Sequence, residues 1–200
     1  MRTTLIIAAL TLVITGSALP PQPHAPASLV LAGGCFWGVE AVFEHLRGVR
    51  SVTSGYASYG SPNEDHSPVP IEAVRIAYDP KAITHRQLLE VFFSIAHDPT
   101  SRDRQGPDAG PEYRAVVFHA SDDEQKGSEA YREELSRTGR FSRSIVTEVR
   151  RLADFQIAEP FHQDYASRHP NDPYIVYNDA PKLVRLKQQF PALYQEQRAP

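Results

Sequence analysis

The sequence predicts an α/β (α+β) fold with a mixed sheet, packed helices, a split β-α-β core of the ferredoxin-like type and a long irregular C-terminal region. Apolar runs of strand length alternate with amphipathic helical segments, in the order strand, helix, strand, strand, helix, strand, helix, strand. The 200 residues suit one domain with a substantial core. A hydrophobic fraction of 41% and a charged fraction of 22% are typical of globular proteins.

The first elements follow from apolar runs and their glycine boundaries. Ser28–Ala32 is apolar and ends at two glycines, which predicts a buried strand. Phe36–Leu46 has helical periodicity, and Gly48 just beyond it predicts the end of a helix. Val49–Tyr56 is a weaker strand prediction. The segment from Tyr56 to Pro70 is rich in Gly, Pro, Ser and Asn, which predicts a long loop.

The middle of the chain carries clearer signals. Ile71–Tyr78 alternates as a strand does and ends at Asp79-Pro80. Thr84 and Gln87 form a capping-box pattern in front of an apolar helical repeat, which predicts a helix. His97–Pro111 is full of turn residues and predicts a second loop.

The last third of the chain is less regular. Tyr113–Phe118 predicts a strand, and Ser121 predicts the N-cap of a helix that runs toward Thr138. Ile145–Leu152 predicts another strand. Phe155–Pro173 is predicted to be irregular, and Pro181–Phe190 to form a short last helix.

The N-terminus differs in kind from the rest of the sequence. Met1-Arg2 is followed by the apolar run Leu5–Ile14 and by the small residues Gly16-Ser17-Ala18, which predicts a secretory signal peptide over residues 1–18. An uncleaved N-terminal anchor is the alternative. A proline-rich tether over residues 19–27 follows, and residues 28–200 form the predicted folded domain. We therefore expect export, to the periplasm where the cell has one, with no stable membrane insertion after cleavage.

Charge and metal-ligand residues narrow the possible partners. The formal net charge is −3 and the pI is about 6.2, so we expect neither nucleic acid nor an anionic membrane as a partner. Eight histidines are scattered without a pair at ligand spacing, and the chain has one cysteine. The sequence therefore predicts no metal site.

The stretch LAGGCFWGVE contains that single cysteine, Cys35. In an exported protein, a thiol without an internal partner is either reactive or paired with another molecule. Cys35 falls at the first turn of the predicted helix, where free N–H groups and the helix dipole are expected to lower its pKa. Gly33 and Gly34 are expected to leave room for a ligand. The alternative is a buried, inert cysteine.

The only tryptophan, Trp37, follows two positions later. The core-facing stripe of the helix consists of Phe36, Val39, Phe43 and Leu46. Trp37 falls on the opposite, polar side, with Glu40, Ala41 and Glu44. This phase favours a surface or site role for Trp37 over packing in the core.

Two further features carry acidic groups. Strand alternation places Glu72 on one face with Val74, Ile76 and Tyr78. A carboxyl among apolar side chains stays protonated and can serve as a general acid, although a solvent-exposed Glu72 fits the pattern equally well. In RQGPDAGPEYR, Asp108 lies in a turn-rich loop and Tyr113 opens the predicted strand, which are also common surface features.

Taken together, these segments resemble the methionine sulfoxide reductase A family, the peptide-methionine (S)-S-oxide reductases. GCFWG is similar to the catalytic signature of that family. The segments EAVRIAYDP, LLEVFFSIAHDPT, RQGPDAGPEYRAVVF and AEPFHQDY also resemble family segments, in the family's order. The resemblance covers about Leu29 to Tyr165, and it agrees with the predicted mixed α/β fold.

The resemblance implies a reaction and its catalytic residues. Cys35 corresponds to the nucleophile that attacks the sulfoxide sulfur and becomes a sulfenic acid. Glu72 corresponds to the acid that protonates the sulfoxide oxygen. Asp108 and Tyr113 correspond to groups that shape the polar side of the site. Free or protein-bound methionine sulfoxide is then the substrate, and neither a metal nor an organic cofactor is required.

The resemblance also implies a substrate-binding set. Phe36 and Trp37 correspond to a hydrophobic pocket for the substrate methyl group. The full set is Gly34, Phe36, Trp37, Tyr56 and His66. His66 stands nearest the place of a tyrosine that this chain lacks, because the loop before Glu72 is shorter than in the family. Val69-Pro70-Ile71 also replaces a family glycine-histidine-alanine. Slow turnover is the expectation that follows.

The tail LYQEQRAP contains no resolving cysteine of the kind that many family members carry. We therefore expect an external thiol to recycle Cys35: a thioredoxin-like protein, a glutaredoxin-like protein or a small molecule. The enzyme is expected to act as a monomer. One alternative is a non-catalytic sulfoxide-binding or redox-sensor descendant, which would give a single turnover. Another is a one-cysteine thiol peroxidase, which would consume peroxide without preference for sulfoxides.

Overall fold

The computed structural model describes residues 27–60 and 69–196. The predicted signal peptide, almost all of the proline-rich tether and His66 lie outside the described residues. Within the described ranges, no helix combines the length and the apolar character needed to cross a membrane.

Five strands form the main sheet in the order β1-β3-β2-β7-β6, and β1 also pairs with β6, so the sheet closes into a barrel. Every pairing is antiparallel except that of β6 with β7. The predicted mixed α/β fold is confirmed, whereas its closure was not predicted because that depends on long-range pairing. The strands are β1 (Ala27–Ala32), β2 (Val49–Tyr59), β3 (Ile71–Tyr78), β6 (Val116–His119) and β7 (Glu148–Ile157). A separate two-stranded hairpin consists of β4 (Arg104–Gln105) and β5 (Asp108–Ala109).

Two of the helices, α2 and α3, begin where the sequence places their caps. Thr84 and Gln87 form the predicted capping box, and the Ser121 side chain accepts a hydrogen bond from the Glu124 N–H. The helices are α1 (Phe36–Glu44), α2 (His85–Val91), α3 (Asp122–Arg137), α4 (Tyr165–Arg168) and α5 (Ala180–Gln189). Single π-helical turns extend α2 (Phe92–Ala96) and precede α5 (Ile175–Asp179).

Strand register brings three separate segments to one end of the barrel. Leu31 of β1 lies opposite Val74 of β3, and Ala32 lies opposite Val116 of β6. The residues that follow β1, begin β3 and precede β6 are therefore neighbours. These segments contain Cys35, Glu72 and Tyr113.

Helix α1 is buried on nearly all sides. The predicted core stripe is confirmed, and Phe36, Val39, Phe43 and Leu46 are all buried. The expectation of a polar, solvent-facing opposite side is wrong, because Glu40 is only 1% exposed. The reason is that α4, α5 and the turn before α5 contact α1 and cover this side.

Several predicted boundaries differ from the structure; for example, β2 runs to Tyr59, into the loop predicted to start at Tyr56. Tyr113 does not open a strand: Pro111 starts a 3-10 turn over Pro111–Tyr113, since proline suits the first position of a helical turn. The loop predicted over His97–Pro111 contains the hairpin β4–β5. Strand β7 extends to Ile157, because its second half pairs with β2.

Candidate active site

Cys35 occupies the N-cap position of α1, directly after the two glycines. Gly34 has φ +91°, which disfavours other residues, and a Cβ there would overlap the side chain of Gln105. A Cβ on Gly33 would meet the ring of Phe92 at 2.9 Å. The space beside the glycines is therefore filled by protein. This corrects the expectation that Gly34 leaves room for a ligand.

Glu72 lies against the first turn of α1. Its Oε2 accepts a hydrogen bond from the Phe36 N–H at 3.0 Å. Burial, helped by the charges of Asp108 and Glu112 and opposed by the hydrogen bond from the Phe36 N–H, raises the pKa of Glu72 to about 7. The inward orientation is the one that a neutral proton donor needs, and near pH 7 a large fraction of the carboxyl is protonated.

The Cys35 thiol is half-buried and hydrogen-bonds with Tyr174. Burial raises its pKa well above the usual range, and the nearby charge of Glu72 raises it further. The Trp37 N–H at the helix start and the Tyr174 hydroxyl act in the opposite direction but are smaller effects. The expected lowering of the pKa is therefore wrong for the free protein, because desolvation outweighs the helix terminus.

Asp108 and Tyr113 both lie beside this pair. Burial raises the pKa of Tyr113 to about 12, and the charges of Glu72 and Asp108 add to the shift, so its hydroxyl stays a hydrogen-bond donor. Asp108 Oδ2 accepts a hydrogen bond from the Tyr174 hydroxyl at 2.5 Å. Asp108 therefore acts on the site by orienting Tyr174.

Aromatic side chains line the other side of the thiol. The Phe36 ring is buried and lies 5.0 Å from His162 and 5.7 Å from Tyr56, centroid to centroid. Trp37 stacks on Tyr165 with the ring centroids 3.7 Å apart and an interplanar angle of 8°. The Trp37 side chain is only partly buried, in agreement with the predicted site role.

These aromatic side chains form a wall that hydrogen bonds hold in place. The aromatic wall consists of Phe36, Trp37, Tyr56, His162 and Tyr165. The indole Nε1–H of Trp37 donates to His162 Nδ1 at 3.2 Å. Tyr56 stands directly opposite Glu72 in the β2–β3 pair, and its hydroxyl donates to Glu159 at 3.3 Å. The structure thus brings Tyr56 to the predicted site.

His97 has a structural role. It is buried, and its ring nitrogens contact Phe92 O and Thr147 Oγ1, each at 2.9 Å. Burial lowers its pKa to about 4, so the ring is neutral at physiological pH. In the part of the chain that the structure describes, no group of three or more His, Cys, Asp or Glu side chains is placed to hold a metal ion.

Sequence reasoning did not place three residues in the site: His162, Tyr165 and Tyr174. All three belong to the C-terminal region, and two of them to the stretch predicted to be irregular. The aromatic density of FHQDY was a usable signal. Tyr174 had no such signal, because only the folded chain places its hydroxyl between Cys35 and Asp108.

Comparison with known proteins gives one consistent result. A family model described as peptide methionine sulfoxide reductase matches residues 27–194. The chain is 42% identical over 187 residues to peptide methionine sulfoxide reductase MsrA 2 of Mesorhizobium japonicum, covering 88% of this chain and 94% of that protein. Reduced Mxr1 of Saccharomyces cerevisiae superimposes with a TM-score of 0.65 at 31% identity, over 76% of this chain and 91% of Mxr1. Mxr1 in complex with Trx2 gives a TM-score of 0.53 at 27% identity, over 74% and 90% of the two chains.

Proposed function

Since the chain belongs to the peptide methionine sulfoxide reductase family and reduces methionine sulfoxide, we propose that Cys35 is the nucleophile of this reaction and Glu72 its proton donor. The observation that carries the assignment is the position of the Glu72 carboxyl. It accepts a hydrogen bond from the Phe36 N–H at 3.0 Å and lies close enough to the Cys35 thiol for its charge to raise the pKa of that thiol. Nucleophile and acid are therefore neighbours at one helix terminus.

The chemistry follows from the protonation states. The Cys35 sulfur forms a bond to the sulfoxide sulfur while Glu72 gives its proton to the sulfoxide oxygen, which is a poor leaving group without one. The oxygen passes to Cys35 as a sulfenic acid, the substrate leaves as methionine, and the thiol proton restores Glu72. The sulfoxide gains two electrons and the thiol loses two.

The aromatic wall supplies the binding side. We assign the substrate methyl group to the surface formed by Phe36 and Trp37, with the Tyr113 hydroxyl as hydrogen-bond donor to the oxygen. An apolar wall on one side and a hydroxyl on the other distinguish the methyl group from the oxygen on a chiral sulfur. We expect the S epimer to be the substrate, in oxidised proteins or as the free amino acid.

Recycling uses an external thiol, because Cys35 is the only cysteine of the sequence. The structure of Mxr1 bound to Trx2 supports a thioredoxin-like protein as one such reductant. The protein is proposed to act as a monomer.

The decisive experiment is a single turnover without any thiol. Stoichiometric methionine-S-sulfoxide should yield one methionine per protein, and a sulfenic-acid reagent should label Cys35, as read by mass spectrometry. The R epimer is the control and should yield almost none. Methionine formation without a trapped adduct at Cys35 would refute the assignment of the nucleophile.

Export remains a proposal that the sequence of residues 1–18 supports. Cell fractionation and N-terminal sequencing of the purified protein test it. We expect a mature chain that begins after Ala18, in the periplasmic fraction. A cytoplasmic protein that retains its first residues would contradict the proposal, and a membrane-bound full-length chain would favour the anchor.

A further inference from the structure

A cleft that shares Asp108 and Tyr174 with the candidate active site reaches Cys35. It has a volume of about 270 Å³, and Cys35 lies in its lining. The hairpin β4–β5 forms one side, and the turn before α5 together with α5 forms another. Its polar lining includes Gln105, Asp108, Tyr174, Asn178, Lys182 and Arg185.

Hydrogen bonds within the protein fix the walls of this cleft. The Gln105 side chain both accepts from the Asp98 N–H at 2.8 Å and donates to the Asp98 carbonyl at 3.0 Å. The Asn178 amide donates to the Tyr174 carbonyl at 3.0 Å. The cleft is therefore a preformed feature rather than a gap between loosely placed side chains.

The acids near the cleft are already engaged. Asp98 pairs with Arg143 at 3.1 Å, and Asp108 accepts the Tyr174 hydroxyl. Lys182 forms an ion pair at 3.1 Å with Asp179, which is 2% exposed. Arg185 is exposed and makes no ion pair with any residue in the described ranges. The guanidinium of Arg185 is thus the charge that remains available to a ligand.

We propose that this cleft binds a low-molecular-weight thiol bearing a carboxylate, with the carboxylate at Arg185 and the sulfur at Cys35. The inference rests on the proposed function, since it concerns the recycling of the Cys35 sulfenic acid. The cleft volume lies just below the range of about 300–1,000 Å³ that is usual for small-molecule sites, which suits a small thiol. We expect an anionic thiol because the Arg185 guanidinium is available to form a charge-assisted hydrogen bond with a carboxylate.

The reaction balances with two equivalents of this thiol. The first thiol attacks the sulfenic sulfur of Cys35, forms a mixed disulfide and releases the oxygen as water. The second attacks the mixed disulfide, returns Cys35 to the thiol and leaves as a symmetrical disulfide. The two thiols together lose the two electrons that the sulfenic acid gains.

Three thiols that differ in charge test the proposal: glutathione, neutral β-mercaptoethanol and cationic cysteamine. The measured quantity is kcat/KM for each thiol at saturating methionine-S-sulfoxide. Arg185→Glu should lower kcat/KM for glutathione roughly 3- to 10-fold, leave kcat/KM for β-mercaptoethanol unchanged and raise kcat/KM for cysteamine. Arg151→Glu, an exposed charge reversal on β7, is the matched control and should change none of them.

Two results would overturn the proposal. One is an equal loss for all three thiols in Arg185→Glu, which would indicate a general disturbance of the site. The other is an unchanged value for glutathione in that variant. The thiol-free single turnover separates either result from a failure of the proposed function, because it measures methionine formation before any recycling and should be the same in Arg185→Glu and the wild type.

Discussion

The turn before α1 and the C-terminal segment from Glu159 to Lys182 contribute to the same site in different ways. The turn supplies the reacting sulfur, and β3 supplies the acid, both from short stretches with readable patterns. The C-terminal segment supplies the surroundings: the ring that stacks on Trp37 and the hydroxyl beside the thiol. Local sequence patterns therefore predict the residues that carry the reacting atoms, whereas the environment of these atoms depends on contacts between residues more than a hundred positions apart.

The comparison extends to electrostatics. The C-terminal segment also covers the outer side of α1, where burial raises the pKa of Glu40 to about 7 and that of Glu44 to about 9. The nearby carboxylate of Asp164 raises both. The C-terminal segment thus raises the pKa of two carboxyl groups, Glu40 and Glu44, that would be exposed to water on an isolated helix α1.

The largest effect is expected from Cys35→Ser, which removes the reacting atom from the turn. Turnover of methionine-S-sulfoxide should fall by at least about 10³-fold, because a serine hydroxyl is a far weaker nucleophile toward sulfur. Methionine release by chromatography measures this, with circular dichroism to establish folding. Substantial turnover in a folded variant would remove Cys35 from the mechanism.

Glu72→Gln tests the acid from the same region. A loss of about 10²- to 10⁴-fold in the single-turnover rate is expected, since the amide keeps the shape of the side chain but has no proton to give. The raised pKa of about 7 means that the donor form predominates below this pH, so the wild-type rate should fall as pH rises through 7. The variant should lack that decline. An unchanged pH profile would exclude Glu72 as the donor.

Tyr174→Phe tests the contribution of the C-terminal segment to chemistry. The change removes the hydroxyl that contacts both Asp108 and Cys35, and the single-turnover rate should fall about 3- to 20-fold. Tyr177→Phe is the matched control, because Tyr177 is 79% exposed and lies three positions away on the same turn. Equal rates for the two variants would reduce the role of Tyr174 to packing.

Glu44→Gln should have the smallest effect, on stability alone. The folded protein holds a proton on Glu44 that the unfolded chain releases above its ordinary pKa near 4.3. Stability from this group is full below that pH and declines as pH rises toward about 9. The Tm of the variant should therefore decline less between pH 6 and pH 9 than that of the wild type. Glu90→Gln, at an exposed position, should keep the wild-type slope.

Sequence reasoning succeeded where one short segment contains the whole signal. The strand alternation around Glu72 restricted this residue to two orientations, and the family motif selected the inward one. The capping box at Thr84 gave the start of α2 directly. Each of these inferences needs only neighbouring residues and the geometry of one element.

It failed where a distant segment changes the local physics. Helical phase correctly removed Trp37 from the core stripe, but phase alone could not show that α4 and α5 cover the polar side of α1. The position of Cys35 at a helix start does supply the Trp37 N–H, which lowers the pKa of the thiol, but the larger, opposing effect of desolvation depends on how deeply the folded chain buries the thiol.

Gly38 links the two regions most directly. A Cβ at this position would overlap the carboxylate of Asp179, so the C-terminal segment rests on the bare backbone of the motif. Because ribosomes synthesise the N-terminal part first, a nascent chain carries its nucleophile long before the residues that enclose it exist. The enclosed environment of the sulfur therefore forms only after the C-terminal segment has been synthesised and has packed onto α1.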